Sequence, residues 1–555
     1  MVKLFRGTLS LFTRQQKNVF SAATVIMLTV ALSRILGLWR DRLLAARFSP
    51  SDLGVYYAAF RLPNMIFELL VMGALAAAFI PVFTSYLDTK GKKEAFMMAS
   101  IVINIGSVIF LIISLPLVIF SRQVSSVLAP GFNQQQLDLM AVFSQIMMLA
   151  QVFPLIIGNF ITGMLQSFRN FFISSLAPVV YNLGIIFAII ILSPVIGLYA
   201  PVVGVVIGAV LFALIQIPTI ISYGYRHNWS FAYKHPGARE IGKLILPRTL
   251  GLAVTQIDTT IDLILSSLLG AGAVTIFNFA QHLQQLPIGL FGVSLAQASL
   301  PSLSLNFAQK NWPEFKKTFI SSFHQILFLV MPLSVILIVL RIPIVRLVFG
   351  ASTLFDWEST VTTGTTLAYF SFSLFAQSLV HLLARTFYAM HDTRTPVIVG
   401  AISVFLNTVL SVLMIIHYHL GVWSLGLTAT IANLLNMLLL MIYLDKKIGY
   451  FSYRELFLPA GKIFLSSAVS GLALYIPLKL FDQLVFDTTR TINLIMLTGV
   501  STFFGLSVYL FLAWFLEVPQ IGLLRKLYKK IKKEPYQGVL IDTTAEAVNV
   551  QKSEI

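Results

Sequence analysis

Arg34, Arg40, Asp41, Arg61, Glu68, Arg248, Asp258 and Asp262 lie in or beside long apolar runs of this 555-residue chain. A charge at bilayer depth costs at least about 2.5–3.5 kcal/mol on insertion scales, so such residues normally face a bundle interior or a wet cavity. A polar pathway through a membrane protein is the direct reading. A structural ion pair or a snorkelling side chain is the alternative for any one of them. By the 3.6-residue period, Arg34, Gly37, Leu38 and Asp41 share one helical face, with the Ser33 hydroxyl beside them, and Arg40 points about 120° away. Guanidinium groups match phosphate oxygens in fork geometry, so a phosphate or pyrophosphate is the natural ligand of this face. Arg61 is a further cation, next to backbone that Pro63 frees. Arg248 follows Pro247 near the start of a span, where the helix dipole disfavours a cation, which calls for an acidic partner, an anionic ligand or an exit to the surface.

Asp258 and Asp262 are spaced i, i+4, with Thr255 and Thr259 adjacent, and Asn407 and Ser411 repeat that spacing on a later span. Hard oxygen donors of this kind suit a small cation or a proton relay; interhelical hydrogen bonding is the competing explanation. His282, His324 and His381 stand singly on different spans, which suits polar packing better than haem or metal ligation. Residues 237–243 nearly spell a phosphate-binding loop, but Leu244 replaces the required hydroxyl residue and no strand precedes it, so nucleotide hydrolysis is not expected. Gly204 and Gly208 form a GxxxG helix-packing face.

These residues must be held by membrane helices. The chain is 57% hydrophobic and 11% charged, against about 25% charged in soluble proteins. Its net charge of +17 does not point to nucleic acid, because the basic residues cluster in short loops between apolar spans. There is no cysteine, which excludes disulfides and thiolate chemistry. At about 20 apolar residues per span, fourteen candidates fit between 20 and 516, among them 20–46, 53–86, 243–268, 359–390, 460–480 and 491–516. Pro63, Pro81, Pro287 and Pro301 predict kinks in the longer ones. Lys and Arg follow the even-numbered spans, whereas 193–196, 269–272 and 417–421 have none, so both termini are expected on the cytoplasmic side.

The sequence also repeats. Arg169…Asn182 echoes Arg394…Asn407, and Ala76–Pro81 echoes Ala296–Pro301, each with six spans between copies. An even number keeps both copies pointing the same way, a parallel repeat whose two lobes enclose a cavity suited to rocking-type alternating access. The chain divides into a basic cytoplasmic segment (1–19), an N-terminal six-helix lobe (20–223), a cytoplasmic linker (224–242), a C-terminal six-helix lobe (243–444), two additional spans (445–516) and a basic, largely disordered tail (517–555). The fold class is all-α and polytopic.

Ser33-Arg34-Ile35-Leu36-Gly37-Leu38-Trp39-Arg40-Asp41 resembles the first-helix signature of the MurJ (MviN) lipid II flippases, of the multidrug/oligosaccharidyl-lipid/polysaccharide exporter superfamily. Phe60–Asn64, Leu300–Ser304 and Phe387–Pro396 look like further blocks of that family, and the similarity runs from about 20 to 516. The resemblance implies transport of an undecaprenyl-pyrophosphate-linked peptidoglycan precursor to the outer leaflet of a bacterial cytoplasmic membrane. It implies a cavity lined by Arg34, Arg40 and Asp41; Ser33, Arg61 and His282 are expected as further substrate contacts. It implies a lipid-tail groove on the last two spans, and a sodium site at Asp262 with Asn407, Ser411 and Thr430. Phe67, Met72, Gly54 and His282 stand where many members carry charged residues, so a less charged cavity is expected here.

The expected function is therefore a lipid-linked oligosaccharide flippase that is not an enzyme, has no bound cofactor, and is coupled to sodium or a proton. Its expected partners are the lipid-linked pyrophosphate and membrane lipids, with no nucleic acid. A cation-coupled drug or small-solute antiporter is the alternative, disfavoured by the Arg-rich first helix. A membrane enzyme acting on lipid phosphates lacks the paired carboxylates or nucleophile–base arrangement it would need.

Overall fold

The computed structural model describes residues 19–72, 78–350, 352–482 and 490–522. The basic N-terminal segment up to 18 and the tail beyond 522 lie outside the described residues, as do the side chains of Met72, Pro247 and Arg248. The first copy of the Ala76–Pro81 echo lies there in part. Among the described residues there is no strand, and the apolar runs have become helices.

In the first half these are α1 (Val19–Arg47), α2 (Pro50–Ala59), α3 (Arg61–Phe67), α4 (Ile80–Thr89), α5 (Lys92–Ile119) and α6 (Ser121–Leu128). They continue as α7 (Gln134–Ile146), α8 (Val152–Ser167), α9 (Phe171–Ile196), α10 (Tyr199–Leu214) and α11 (Ile217–Ser222). The second half holds α12 (Pro236–Leu268), α13 (Ala271–Pro287), α14 (Ser294–Ala308), α15 (Trp312–Val339), α16 (Arg341–Phe349), α17 (Trp357–Ser371), α18 (Leu374–Ala389), α19 (Arg394–Val412) and α20 (Trp423–Ile448). The two added helices are α21 (Tyr453–Phe481) and α22 (Thr491–Phe515). They pack against each other and against α15, where the Tyr509 hydroxyl donates to the Phe328 carbonyl at 2.7 Å.

Among the described residues, ten helical segments are long and apolar enough to cross a membrane, or eleven if α17 and α18 count as one span bent by 44°. That measure does not reach the expected fourteen. The other three expected spans fall on α1, on α2–α4 and on α12, the helices that carry Arg34, Arg40, Asp41, Arg61, Glu68, Asp258 and Asp262.

The broken helices sit where backbone bonds are disturbed. Pro63 lies in α3, which runs into a π-helical turn at Glu68–Met72, and Pro287 immediately precedes another at Ile288–Val293. The expected linker is shorter than 224–242, because Pro236 opens α12 at a position where its missing N–H costs nothing. Residues 237–243, the near-match to a phosphate loop, are the first turns of that helix.

The apolar core is divided. One cluster fills the N-terminal half and continues through Ala271, Phe279, Phe349 and Phe355 of the second half. A second cluster fills the rest of the C-terminal half and reaches Tyr509 on α22. The first turns of α12 also pack Ile241 into the N-terminal core near Tyr86 and Met98. The two halves meet most closely at the end where α1 finishes and α2, α7 and α13 begin. There Thr275 donates to the Pro50 carbonyl at 2.6 Å and Ser352 to the Ala45 carbonyl at 3.2 Å. Phe279 stacks on Phe349 at 3.9 Å, and Arg42 donates to the Leu347 carbonyl. The approach is so close that a Cβ on Gly54 would sit 1.8 Å from the Ala271 oxygen, and one on Gly131 2.0 Å from the Ser267 oxygen. Only glycine permits such contact.

At the opposite end the turn between α18 and α19 is tied to α20 by an ion pair from Lys447 to Asp392. Burial works to raise the Asp392 pKa, but hydrogen bonds from Lys447 and Thr395 outweigh it and hold it to about 2.

Candidate functional site

Away from the sealed end, the lobes are separated by adjoining chambers that share wall residues. One, of about 320 Å³, is lined by Arg40, Tyr57, Arg61, Asn278 and His282 among others. A second, of about 580 Å³, is lined by Ser33, Arg34, Arg40, Asp41, Asn182 and His282. A third, of about 600 Å³, takes in Arg34, Asp258, Asp262, Gln284, His381 and Asn407. A fourth, of about 610 Å³, reaches Arg61, Glu68 and Thr259. Arg40 and His282 border the first two, and Arg34 borders the second and third. Together they form a polar vestibule between the halves.

Arg34 is exposed to this vestibule and forms no ion pair among the described residues. A Cβ on Gly289 would lie 3.7 Å from its Nη2, so the guanidinium of the N-terminal lobe reaches the C-terminal wall. Arg40 lies on a different face of α1, yet its long side chain bends back into the same chamber. Its Nε and Nη2 donate to Asp41 Oδ1 at 3.0 and 2.8 Å, and its Nη1 donates to Asn182 Oδ1 at 3.3 Å. Asp41 is 2% exposed and spans the lobes, because its Oδ2 lies 2.9 Å from His282 Nδ1 on α13. His282 therefore sits on the carboxylate, and it remains in the wall of both chambers. Ser33 Oγ accepts from Asn182 Nδ2 at 3.2 Å.

Arg61 differs from the expectation of a free phosphate clamp. Its Nε and Nη2 donate to Thr260 Oγ1 at 2.9 and 2.7 Å, and Nη2 also donates to the Gln256 carbonyl. In this conformation it fastens α3 to α12. His324 is buried and donates to the Leu456 carbonyl at 2.8 Å, a packing role. Gly208 lies against the Tyr181 carbonyl, where a Cβ would come within 2.5 Å, as a packing face requires.

The expected cation site is brought together in part. Asn407 Nδ2 donates to Asp258 Oδ1 at 3.0 Å, and Asp262, 8% exposed, lines the same chamber. The side-chain Oδ1 of Asn407 is buried without a hydrogen-bond partner, which leaves one neutral oxygen ligand free beside two carboxylates. Ser411 is turned to Thr428 Oγ1 at 2.7 Å, and Thr430 donates to the Tyr369 carbonyl at 2.6 Å. The residues that fit a hard cation are thus Asp258, Asp262 and Asn407. Among the described residues no cluster of three or more His, Asp or Glu side chains forms.

The sequence repeat has a geometric counterpart here. Asn182 bonds Ser33 across 149 residues, and Asn407 bonds Asp258 across the same 149 residues. The second contact is the first, moved one lobe on.

Sequence reasoning did not single out Asn182 as a site residue, or Tyr57, Gln281, Gln284 and Gln285. The three glutamines flank His282 in an otherwise apolar span. That polar cluster was the available signal, since uncharged amides in a membrane helix also seek a cavity or a partner.

A family model described as lipid II flippase MurJ matches residues 47–494. The match begins after the first-helix residues, so their part in the site rests on the geometry above. The "Probable lipid II flippase MurJ" of Buchnera aphidicola is 26% identical over 524 residues, covering 92% of this chain and 99% of its own. The "Lipid II flippase MurJ" of Burkholderia cenocepacia is 28% identical over 443 residues, covering 78% and 84%. Among solved structures, a lipid II flippase MurJ in an inward closed conformation superposes with a TM-score of 0.74 at 23% identity, over 89% of this chain and 99% of its own. An inward-facing multidrug resistance MATE transporter does so at 0.63 and 16%, over 76% and 98%. These structural likenesses establish the fold.

Proposed function

The chain belongs to the lipid II flippase MurJ family, and from that membership we propose that its lobes carry lipid II across the membrane by alternately opening the vestibule around Arg34, Arg40, Asp41 and His282. It is a multi-pass membrane transporter and not an enzyme; lipid II is its substrate, and peptidoglycan synthesis is the process it serves.

The observation that carries the mechanism is the state of Arg34: a guanidinium facing a polar interlobe chamber, without an ionic partner among the described residues. An unpaired cation at this depth is costly unless it is solvated or awaits an anion, and a pyrophosphate supplies that anion in fork geometry. Arg40 adds a second guanidinium, oriented by Asp41 and Asn182. Arg61 joins them only if its bonds to α12 break, which makes it a contact of another conformation. By the distribution of Lys and Arg the sealed end faces outward and both termini are cytoplasmic, so the vestibule is the inward-accessible state. Lipid II drives the exchange of states only by binding one of them better. The lipid tail would lie along α21 and α22, whose outer faces expose Leu472 and Phe503.

The test is complementation of a flippase-depleted bacterium. Wild type restores growth, and Arg34→Ala, expressed to the same level, does not, with transport down about tenfold or more for loss of a charge-assisted contact. Full rescue by Arg34→Ala sinks the pyrophosphate assignment while leaving family membership untouched. We further propose that a sodium ion or a proton engages Asp258, Asp262 and Asn407. Transport by the purified chain in vesicles should fall when sodium is replaced by potassium, if sodium is the ion. Indifference to both sodium and pH removes the coupling role.

A further inference from the structure

The segment between α11 and α12 lies back across the N-terminal lobe. Asn104 Nδ2 on α5 donates to the carbonyls of Asn228 and Ser230 at 2.8 and 2.9 Å. The Asn228 N–H donates to Ser100 Oγ at 3.2 Å, and Tyr225 is buried with its hydroxyl 3.2 Å from the same oxygen. Irregular backbone is thereby fixed against a membrane helix. Beneath it is a cavity of about 670 Å³, whose walls are almost wholly apolar and include Ile103 and Leu111 of α5, Ile157 and Ile161 of α8, Ile220 of α11 and Trp229. The size falls in the range of about 300–1,000 Å³ usual for small-molecule sites. None of its lining residues borders the interlobe vestibule.

Three features give the cavity a direction. One wall runs along α5 from Ile103 out to Leu111, roughly 12 Å at 1.5 Å per residue. Val108, Leu111 and Ile221 on its rim are exposed, so it opens sideways to hydrocarbon. At the other end stand Arg226 and His227, with Trp229 77% exposed and set edge-on to the His227 ring at 4.8 Å. His227 Nδ1 is engaged by the Tyr225 hydroxyl at 2.9 Å, whereas Arg226 makes no ion pair among the described residues. The order is hydrocarbon slot, aromatic ring, free cation. Trp and Tyr mark the headgroup level of a bilayer, and Arg at that level attracts anionic lipid.

We propose that this cavity binds one anionic glycerophospholipid, an acyl chain lying between α5 and α8 and the phosphate against Arg226. The matching sequence of apolar, interfacial and cationic groups argues for a charged diacyl lipid over a neutral one, and separation from the vestibule distinguishes it from the path of the transported lipid. Occupancy would anchor the connection between the lobes to the composition of the surrounding leaflet.

The test uses the purified full-length chain in detergent, mixed with phosphatidylglycerol or phosphatidylcholine of identical chains and weighed by native mass spectrometry. Wild type should retain phosphatidylglycerol in preference to phosphatidylcholine. Arg226→Gln should reduce phosphatidylglycerol retention about fivefold, the effect of one interfacial cation, and leave phosphatidylcholine unchanged. Ile157→Trp, which fills the slot, should reduce both. Equal retention of the two lipids by wild type, or an Arg226→Gln variant indistinguishable from it, overturns the proposal. Because Arg226 is exposed and unpaired, that variant folds, and its result decides the matter even if Ile157→Trp does not express.

Discussion

Asp41 holds Arg40 with one oxygen and His282 with the other, and it is almost fully buried while doing so. Removing one member of a buried ionic pair costs about 3–5 kcal/mol, largely because the remaining charge loses its compensation; the 20% exposure of the Arg40 side chain places this site at the low end. Asp41→Asn should therefore destabilise the purified protein by about 3 kcal/mol, read as a drop in melting temperature, whereas His282→Arg should melt close to wild type because it keeps a donor on the same carboxylate. Equal melting temperatures for Asp41→Asn and wild type would contradict the bridge. The charged members of this group were legible in the sequence because each interrupts an apolar run. Asn182 was visible only as a mark of the repeat, since a neutral amide breaks hydropathy far less. The helical wheel separated Arg40 from Arg34 because it places Cβ atoms, and a side chain as long as arginine can return its head to the neighbouring face.

The helices meet most closely at the sealed end, where Gly54 and Gly131 admit backbone from α12 and α13. A methyl group at either position needs the opposing chain to move, and no side-chain rotation can relieve a clash with a carbonyl oxygen. Gly54→Ala should thus prop this end apart and populate the state in which it is open. The chain has no native cysteine, so Thr275→Cys, buried in the seal, is a clean reporter. Its labelling by a membrane-impermeant maleimide should rise severalfold when Gly54→Ala is added, and unchanged labelling would show that the seal tolerates the methyl. Position 54 was flagged in the sequence as a missing charge, but its role is the absence of a side chain. Breaks after Pro63 and Pro287 could be read from the residues themselves. The 44° bend between α17 and α18 could not: Ser371-Phe372-Ser373 contains neither proline nor glycine, so packing imposes it.

At the scale of the whole molecule, the all-helical two-lobed architecture was legible from apolar runs and from matched Arg, Asn and Gly positions. The span count was less secure by apolarity alone, because α1, α3 and α12, which line the interlobe chambers, are diluted by charge. The interlobe arrangement was beyond the reach of periodicity, which says which face of a helix is polar but not which polar face meets another. Asn182 and Asn407 make the same bond in their respective halves, yet the first sits beside Arg34 and Arg40 and the second beside Asp258 and Asp262. A repeated contact thus stands in surroundings of opposite electrical sign on its two occurrences. The cleft is in consequence a polarised gap, with a field directed from one wall to the other, and an elongated guest with an anionic end would be turned to a single heading before it touched either side.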